Sequence, residues 1–309
     1  MTTTAEMIAE RTQRLLTEDN GLLFGQCVTA VGWVGGSIPP LSEGDGIVEL
    51  SMADVAGASI AVGAALSGRR CIYVIRYQGF LWYNAASLVN YAAKSKFMWE
   101  IPCPIMVRSI SMDGSIGPVA SGSHHGMVGR MPGLAIAAPI TPGEWSDVFD
   151  WWMEHDDPIY VSESRKSFTV DYELSDGSHP VPDVTLIGIG ASRLNMAEVQ
   201  SNLEKQGLTV NIFHQVWLKP FVASSRLLES VVASRVCLIV DSDFEDCSIA
   251  KTIAFELMHA SRKQVHVLGL EERAAGFSAA SDNTTPSGHK IFQKVNSLLQ
   301  VKECENDGD

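Results

Sequence analysis

The carboxylate of Asp54 lies at the start of a helix built mostly from small residues, in the stretch VELSMADVAGASIAVGAALSGRR. An apolar strand, RCIYVIRY, follows it, and then an aromatic helix that begins near Phe80. Small and aromatic residues side by side can enclose a flat ring, which raises the question of what a single carboxylate does there. The alternative role for an acid at this position is to cap the helix or to interact with its dipole.

Other residues with chemical potential lie where predicted strands end. Arg76 and Tyr77 end RCIYVIRY, and Arg108 ends CPIMVRS. A cation at Arg76 would lower the pKa of a nearby carboxyl group and would suit an anionic substrate. His124 and His125 lie in the loop SGSHHGM, and histidine transfers protons near neutral pH. The alternatives are a surface arginine at Arg76, a sheet-capping arginine at Arg108 and solvated loop histidines.

Composition limits the classes of function. The chain has 309 residues, 46% of them apolar, and a formal net charge of −13. A nucleic-acid surface needs a basic face, so the charge argues against such a partner. No apolar run reaches membrane-span length and no signal peptide is evident, so we expect a cytoplasmic protein that does not bind a membrane. The six cysteines show no C-x-x-C spacing, and we expect reduced thiols and no metal site.

Short apolar strands alternate with amphipathic segments along the whole chain. This alternation predicts an α/β fold with mainly parallel sheets covered by helices on both faces, that is, two doubly wound domains. The stretch ELSDGSHPVPD is rich in Gly, Pro and Ser and predicts a linker at 175–183. The sequence therefore predicts a first domain at 1–174 and a smaller second α/β domain at 184–309.

Several motifs resemble those of a known family. Residues 22–168 resemble the β subunit of the E1 component of thiamine-diphosphate-dependent 2-oxo acid dehydrogenase complexes, and more broadly the pyrimidine-binding domain of transketolases. The resemblance is carried by LLFGQCV, SIAVGAALSGRR, FLWYNAASLVNYAAKSKFM and HHG…MPGLAIAAP. After the predicted linker, QVWLKPF and LIVDSDFED resemble segments of the transketolase C-terminal domain more loosely.

The resemblance implies roles for particular residues. The family's glutamate, which hydrogen-bonds the cofactor's aminopyrimidine, falls on Asp54, one methylene shorter. Phe80 takes the position of the ring that stacks on the aminopyrimidine, with Arg76 and Tyr77 beside it. The family's loop histidine, which faces the substrate, aligns with His124.

We expect Asp54 and His124 to be the catalytic residues. We expect His125 and Arg108 to contact the substrate. Glu49 is the only other acid near Asp54, and its register does not match the family motif.

The family also implies a partner. Its diphosphate and Mg²⁺ site needs Gly-Asp-Gly followed by an Asn pair, and the Gly-Asp-Gly at 44–46 lacks that pair. We therefore expect thiamine diphosphate to be shared with an α-like subunit that holds Mg²⁺, in an α2β2 assembly with a β–β contact. The expected substrate is a 2-oxo acid or a sugar phosphate.

Two alternatives remain open on the sequence. One is the C-terminal half of a split transketolase-type transferase. The other is a non-catalytic structural or regulatory subunit, since aspartate replaces the family's glutamate at position 54.

Overall fold

The computed structural model describes residues 2–30, 32–114 and 116–306, with side chains up to residue 300. In these residues the strands are β1 Leu22–Gln26, β2 Ile47–Leu50, β3 Cys71–Ile75, β4 Ile105–Ser111, β5 Ala135–Ala137, β6 Ile159–Ser164, β7 Val184–Ile189, β8 Val210–Gln215, β9 Trp217–Lys219, β10 Val236–Phe244 and β11 His266–Leu270.

The helical segments are α1 Thr4–Thr17, α2 Gly32–Gly36, α3 Asp54–Leu66, α4 Leu81–Asn90, α5 Ser95–Trp99, α6 His125–Gly129, α7 Pro142–Glu154, α8 Met196–Glu204, α9 Ser225–Ala233, α10 Ile249–Ser261 and α11 Gly288–Asn306. Among the described helices, none combines the length and the hydropathy that a transmembrane span requires.

Six strands of the first half and β9 of the second half form a sheet with strand order β2-β1-β3-β4-β6-β5-β9, and the other strands of the second half form one with order β11-β10-β7-β8. All pairs are parallel except β5 with β9. Strands such as β3 and β7 are buried along their whole length, as parallel strands covered on both faces must be. The predicted α/β class with mainly parallel sheets is confirmed.

The two halves share one sheet. Residues 175–183 contain neither helix nor strand, but β9 crosses back and pairs antiparallel with β5 of the first half. The pairing joins Ile136 to Lys219 and Ala137 to Trp217. The division at 174 and 184 remains a prediction, and β9 adds one strand of the second half to the sheet of the first.

The interior of the first sheet contains a buried ion pair. Arg108 on β4 and Glu163 on β6 are both fully buried, with Nε to Oε2 at 2.9 Å and Nη2 to Oε1 at 2.7 Å. The remaining donors reach the hydroxyl and carbonyl oxygens of Ser37 at 2.8 and 3.2 Å. This bidentate pair fixes the loop that carries Ser37 to the centre of the sheet.

A second buried ion pair joins the two halves. His125 at the start of α6 is fully buried, with Nε2 at 3.1 Å from the Asp241 carboxylate of β10 and at 3.7 Å from Asp243. Its Nδ1 lies 3.0 Å from the Ser162 hydroxyl of β6. Burial alone would lower the pKa of His125, but the two carboxylates outweigh it and raise the pKa to about 9.

Substitution of Arg108 by Met tests the first pair. Loss of the guanidinium leaves the Glu163 carboxylate buried without a counter-charge, so we expect a loss of about 3–5 kcal/mol in the free energy of unfolding, measured by urea titration. The double variant Arg108→Met/Glu163→Met removes both charges and should be more stable than Arg108→Met alone. Glu271→Gln, in an exposed pair with Lys290, is the control and should change stability by under about 1 kcal/mol. If Arg108→Met changes the free energy of unfolding as little as Glu271→Gln does, the buried ion pair does not stabilise the fold as described.

The His125 contact predicts a pH dependence of stability. Because its pKa is raised from 6.5 to about 9, its contribution is fully present below pH 6.5 and is lost as pH rises through 9. We expect the unfolding free energy to fall by about 1–3 kcal/mol across this range. His125→Gln should flatten the slope. If the variant shows the same dependence of unfolding free energy on pH, a group other than His125 titrates in this range. His124 and His214 are not such groups, because burial lowers their pKa values and places their titration below it.

Candidate functional site

The carboxyl ends of the parallel strands of the first sheet form the edge where a ligand is expected. Strand β2 lies on one side of β1 and β3 on the other, so the order in which strands are added to the sheet reverses between β1 and β3, although both strands run in the same direction. In open parallel sheets, crevices at such a reversal bind ligands. The helix α3 that follows β2 and the helix α4 that follows β3 begin at this edge.

Asp54 is the first residue of α3 and is half-buried. The N-cap of α3 is Ala53, and among the described residues no main-chain N–H donates to the Asp54 carboxylate. Its Oδ1 accepts a hydrogen bond of 3.1 Å from Asn84 Nδ2. Among the described residues, no donor contacts Oδ2. One carboxylate oxygen is therefore oriented by the protein and the other can accept from a ligand.

The side chain of Asn84 on α4 fixes this geometry. Its Nδ2 also donates to the carbonyl oxygen of Phe80 at 2.9 Å, and its Oδ1 accepts from the Tyr73 hydroxyl at 2.6 Å. Burial raises the pKa of Tyr73, and the charge of Asp54 raises it further, so the phenol stays protonated and donates. The amide of Asn84 can thus take only the orientation that presents Nδ2 to Asp54.

Close helix packing makes this network possible. Gly57 of α3 lies against Tyr73, and a Cβ there would sit 3.1 Å from the tyrosine oxygen. The Ser59 and Ser87 hydroxyl oxygens of α3 and α4 lie 2.7 Å apart. Small residues therefore bring the two helices close enough for Asp54 and Asn84 to meet.

Aromatic side chains cluster at Phe80, whose main-chain carbonyl oxygen accepts from the same Asn84 amide that bonds Asp54. The rings of Phe80 and Tyr77 meet edge to face with centroids 5.5 Å apart, and the ring of Tyr83 lies 6.4 Å from that of Phe80. The guanidinium of Arg76 lies 5.8 Å from the centre of the Tyr77 ring. Four of the residues selected from the sequence, namely Asp54, Arg76, Tyr77 and Phe80, thus form one connected group.

His124 lies next to this group without contacting the ring of Phe80. Its main-chain N donates to Gln78 Oε1 at 2.6 Å, and its ring packs 5.6 Å from the ring of Phe244. Burial lowers its pKa, so the imidazole is neutral near pH 7 and can accept a proton. His124 borders a cavity of about 590 Å³ between the two halves.

Two residues selected from the sequence lie away from this edge. His125 and Arg108 are both fully buried, and their polar atoms contact Asp241 and Ser162 or Glu163 and Ser37. Neither presents a free donor to the crevice, so the structure does not support the substrate contacts expected for them. We leave both out of the site because their charges are already neutralised in the interior.

Sequence reasoning missed Tyr73 and Asn84. Tyr73 is the central residue of a buried strand, and Asn84 interrupts an aromatic helix one turn after Phe80. A polar amide on a helix face that otherwise packs into the core was the available signal, because such a group must find hydrogen-bond partners.

The arrangement suits a flat heteroaromatic group with an N–H donor. Among the described residues, one oxygen of the Asp54 carboxylate has no protein donor, and Asn84 links this carboxylate to the main chain of Phe80, whose ring is half-buried. A carboxylate and an aromatic ring can bind the edge and the face of such a group. Among the described residues, no cluster of three or more His, Cys, Asp or Glu side chains could hold a metal ion.

Comparisons with known proteins show which proteins the chain is similar to. The chain is 24% identical over 232 residues to the β subunit of an acetoin:2,6-dichlorophenolindophenol oxidoreductase of Cupriavidus necator, covering 70% of this chain and 68% of that protein. It is 23% identical over 294 residues to the β subunit of the pyruvate dehydrogenase E1 component of Staphylococcus epidermidis, covering 88% and 87%. The expected resemblance to E1 β subunits is confirmed.

Solved structures share the fold. A split-gene transketolase, described as an inactive β4 tetramer, matches 96% of this chain and 98% of its own, with a TM-score of 0.73 and 13% identity. A transketolase of Campylobacter jejuni matches 96% of this chain and 46% of its own, with a TM-score of 0.74 and 17% identity.

The sequence profile of the transketolase pyrimidine-binding domain matches residues 3–170, which contain Asp54, Phe80 and Asn84. This match covers more than half of the 309 residues. The chain therefore belongs to the transketolase pyrimidine-binding-domain family.

Proposed function

We propose that this chain is the β-like subunit of a two-component thiamine-diphosphate enzyme that acts on a 2-oxo acid. The observation that carries the proposal is the Asp54 carboxylate, which is oriented by Asn84, whose amide also donates to the main-chain carbonyl oxygen of Phe80. The relatives named as β subunits of pyruvate and 2-oxoisovalerate dehydrogenases support the substrate class.

Each residue of the site has a defined part in the proposal. Asp54 would accept a hydrogen bond from the aminopyrimidine of thiamine diphosphate, and Phe80 would hold that ring. The cofactor, when bound, would supply a carbon nucleophile for the substrate carbonyl. His124, neutral near pH 7, exchanges a proton with the substrate oxygen.

The short side chain of Asp54 is accommodated by its neighbours. An aspartate reaches roughly 1.5 Å less far than a glutamate. Asn84 holds the Asp54 carboxylate in one direction before a ligand binds. Less conformational freedom is therefore lost when the ligand binds. The proposal therefore treats Asp54 as a competent replacement for glutamate.

The proposal includes a partner subunit. Large apolar side chains near Asp54 are exposed, with Met52 at 84%, Trp82 at 68%, Val55 at 59% and Tyr83 at 57% of their surface. Exposed apolar clusters of this kind mark protein interfaces. We propose that an α-like chain, which holds the cofactor's diphosphate and Mg²⁺, covers this surface in an α2β2 assembly in the cytoplasm, with the β chains in contact.

Substitution of Asp54 tests the activator role. We expect Asp54→Asn to lower kcat/KM by at least about a hundredfold, because the amide does not provide the negative charge that favours the reactive tautomer. Asp54→Glu should retain or raise the activity. The assay uses the chain co-expressed with its diphosphate-binding partner and a panel of 2-oxo acids and sugar phosphates.

The panel also separates the alternatives. Turnover of sugar phosphates alone would favour a split transferase. Full activity of Asp54→Asn would exclude the proposed role, and a wild-type complex inactive on the whole panel would favour the non-catalytic subunit.

Asn84 is proposed as a positioning residue for Asp54. We expect Asn84→Ala to lower kcat by about tenfold while changing KM little, since the carboxylate loses a hydrogen bond worth about 1.5 kcal/mol. Tyr73→Phe should reduce kcat in the same direction by a smaller factor. Ser87→Ala, which alters the same helix contact without touching Asp54, is the control. Equal losses in all three variants would indicate a general effect of helix packing.

A further inference from the structure

A cavity of about 560 Å³ lies at the β9 edge of the first sheet, where the second half of the chain joins the first. Helix α7 lines one side of it, and residues 214–222 line the other. Three strands, β4, β6 and β5, separate β9 from β3, so the cavity does not belong to the crevice beside Asp54. Its volume falls in the range of about 300–1,000 Å³ that is typical of small-molecule sites.

Two tryptophan side chains line this cavity together. The rings of Trp151 on α7 and Trp217 on β9 have centroids 5.1 Å apart and planes at 60° to each other. The ring of Trp151 also stacks on that of His155, with centroids 4.3 Å apart. Both indoles are half-buried, so they are held by their neighbours and can still contact a ligand. The faces of indole rings attract cations more strongly than those of other aromatic side chains.

The ionisable side chains of the cavity leave it with a negative charge. The exposed carboxylate of Asp147 makes no ion pair with any described residue. The carboxylate of Glu144 is already paired with the buried guanidinium of Arg193. Burial, together with the charge of Arg193, lowers the pKa of His214 to about 4, so its imidazole is neutral near pH 7. A further carboxylate, that of Asp176, accepts a hydrogen bond of 2.9 Å from the main-chain N of His214.

Apolar side chains complete the lining and restrict the kind of cation that fits. They belong to Val216, Pro220 and Val222. A strongly hydrated inorganic ion gains little from apolar and aromatic walls, whereas an alkylammonium group can bury its methyl groups against them. The charge of such a group is balanced by the nearby carboxylates, which would repel an anion.

We propose that the cavity lined by Trp151, Trp217 and Asp147 binds a small organic cation of the alkylammonium class. The indole rings contact its alkyl groups, and the carboxylate of Asp147 balances its charge. Because α7 belongs to the first half of the chain and β9 to the second, the bound cation contacts both halves. The inference is independent of the proposed function, since the cavity shares no residue with the site around Asp54.

The test titrates the full chain, labelled with ¹⁵N at the tryptophan indoles, with choline chloride at constant ionic strength. The chain has seven tryptophans, and Trp151→Leu and Trp217→Leu assign two of the seven indole signals by their absence. We expect choline to shift these two signals with a dissociation constant on the order of 1 mM. The neutral alcohol 3,3-dimethylbutan-1-ol has the same shape as choline without its charge, and should bind at least about fivefold more weakly.

Variants of the lining residues test the individual contacts. Trp217→Leu should weaken choline binding about fivefold, because one cation–π contact is lost. Asp147→Asn should weaken it about threefold, as expected for loss of an exposed charge pair. Glu154→Gln is the matched control, because Glu154 is an exposed acid on the same helix that does not line the cavity. Unchanged positions of the remaining indole signals verify that each variant is folded.

Three results would overturn the proposal: no shift of the two signals, equal binding of the neutral alcohol, or equal weakening by Glu154→Gln and Asp147→Asn. Asp54→Asn separates this cavity from the proposed cofactor site, and should leave choline binding unchanged. If Asp54→Asn weakens binding and Asp147→Asn does not, choline binds in the crevice beside Asp54 and the proposal is wrong.

Discussion

Three hydrogen bonds that converge on the amide of Asn84 determine the geometry at the carboxyl edge of the first sheet. They join the strand that carries Tyr73, the turn that carries Phe80 and the helix that begins with Asp54. Since the amide can satisfy all three partners in only one orientation, the direction of the carboxylate is set before any ligand binds. The small residues of α3 and α4 are needed because a bulkier contact would separate the amide from the acid.

Charges are treated differently in the interior and at this edge. Inside, each cationic side chain is matched by carboxylates, as with Arg108 and Glu163 or His125 and Asp241. At the edge, the guanidinium of Arg76 lies near the ring of Tyr77 and is paired with no carboxylate among the described residues. The contrast follows from solvation, since an unpaired charge in the core is costly whereas one at a crevice can be satisfied by water.

Periodicity predicted the alternation of strands and helices and the parallel sheets, because buried parallel strands and amphipathic helices leave strong local patterns. It did not predict β9, whose three residues gain their partner only through a long-range contact with β5. The aromatic helix predicted near Phe80 spans Leu81–Asn90, and a 3₁₀ turn follows at Ala92–Lys94. Asp54 and Phe80 could be selected by motif, but the burial of Arg108 and His125 and the role of Asn84 depend on packing that one-dimensional patterns do not encode.

The antiparallel strand β9, which the second half contributes to the first sheet, limits where the polypeptide can be truncated. A fragment ending within 175–183 would leave β5 as a bare edge, with unsatisfied main-chain groups facing solvent next to the hydrophobic interior. Such a fragment would tend to recruit strands from other molecules. The isolated pyrimidine-binding segment is thus poorly suited to crystallisation or to grafting into another protein. Its sheet is complete only when β9, which is synthesised later, is present.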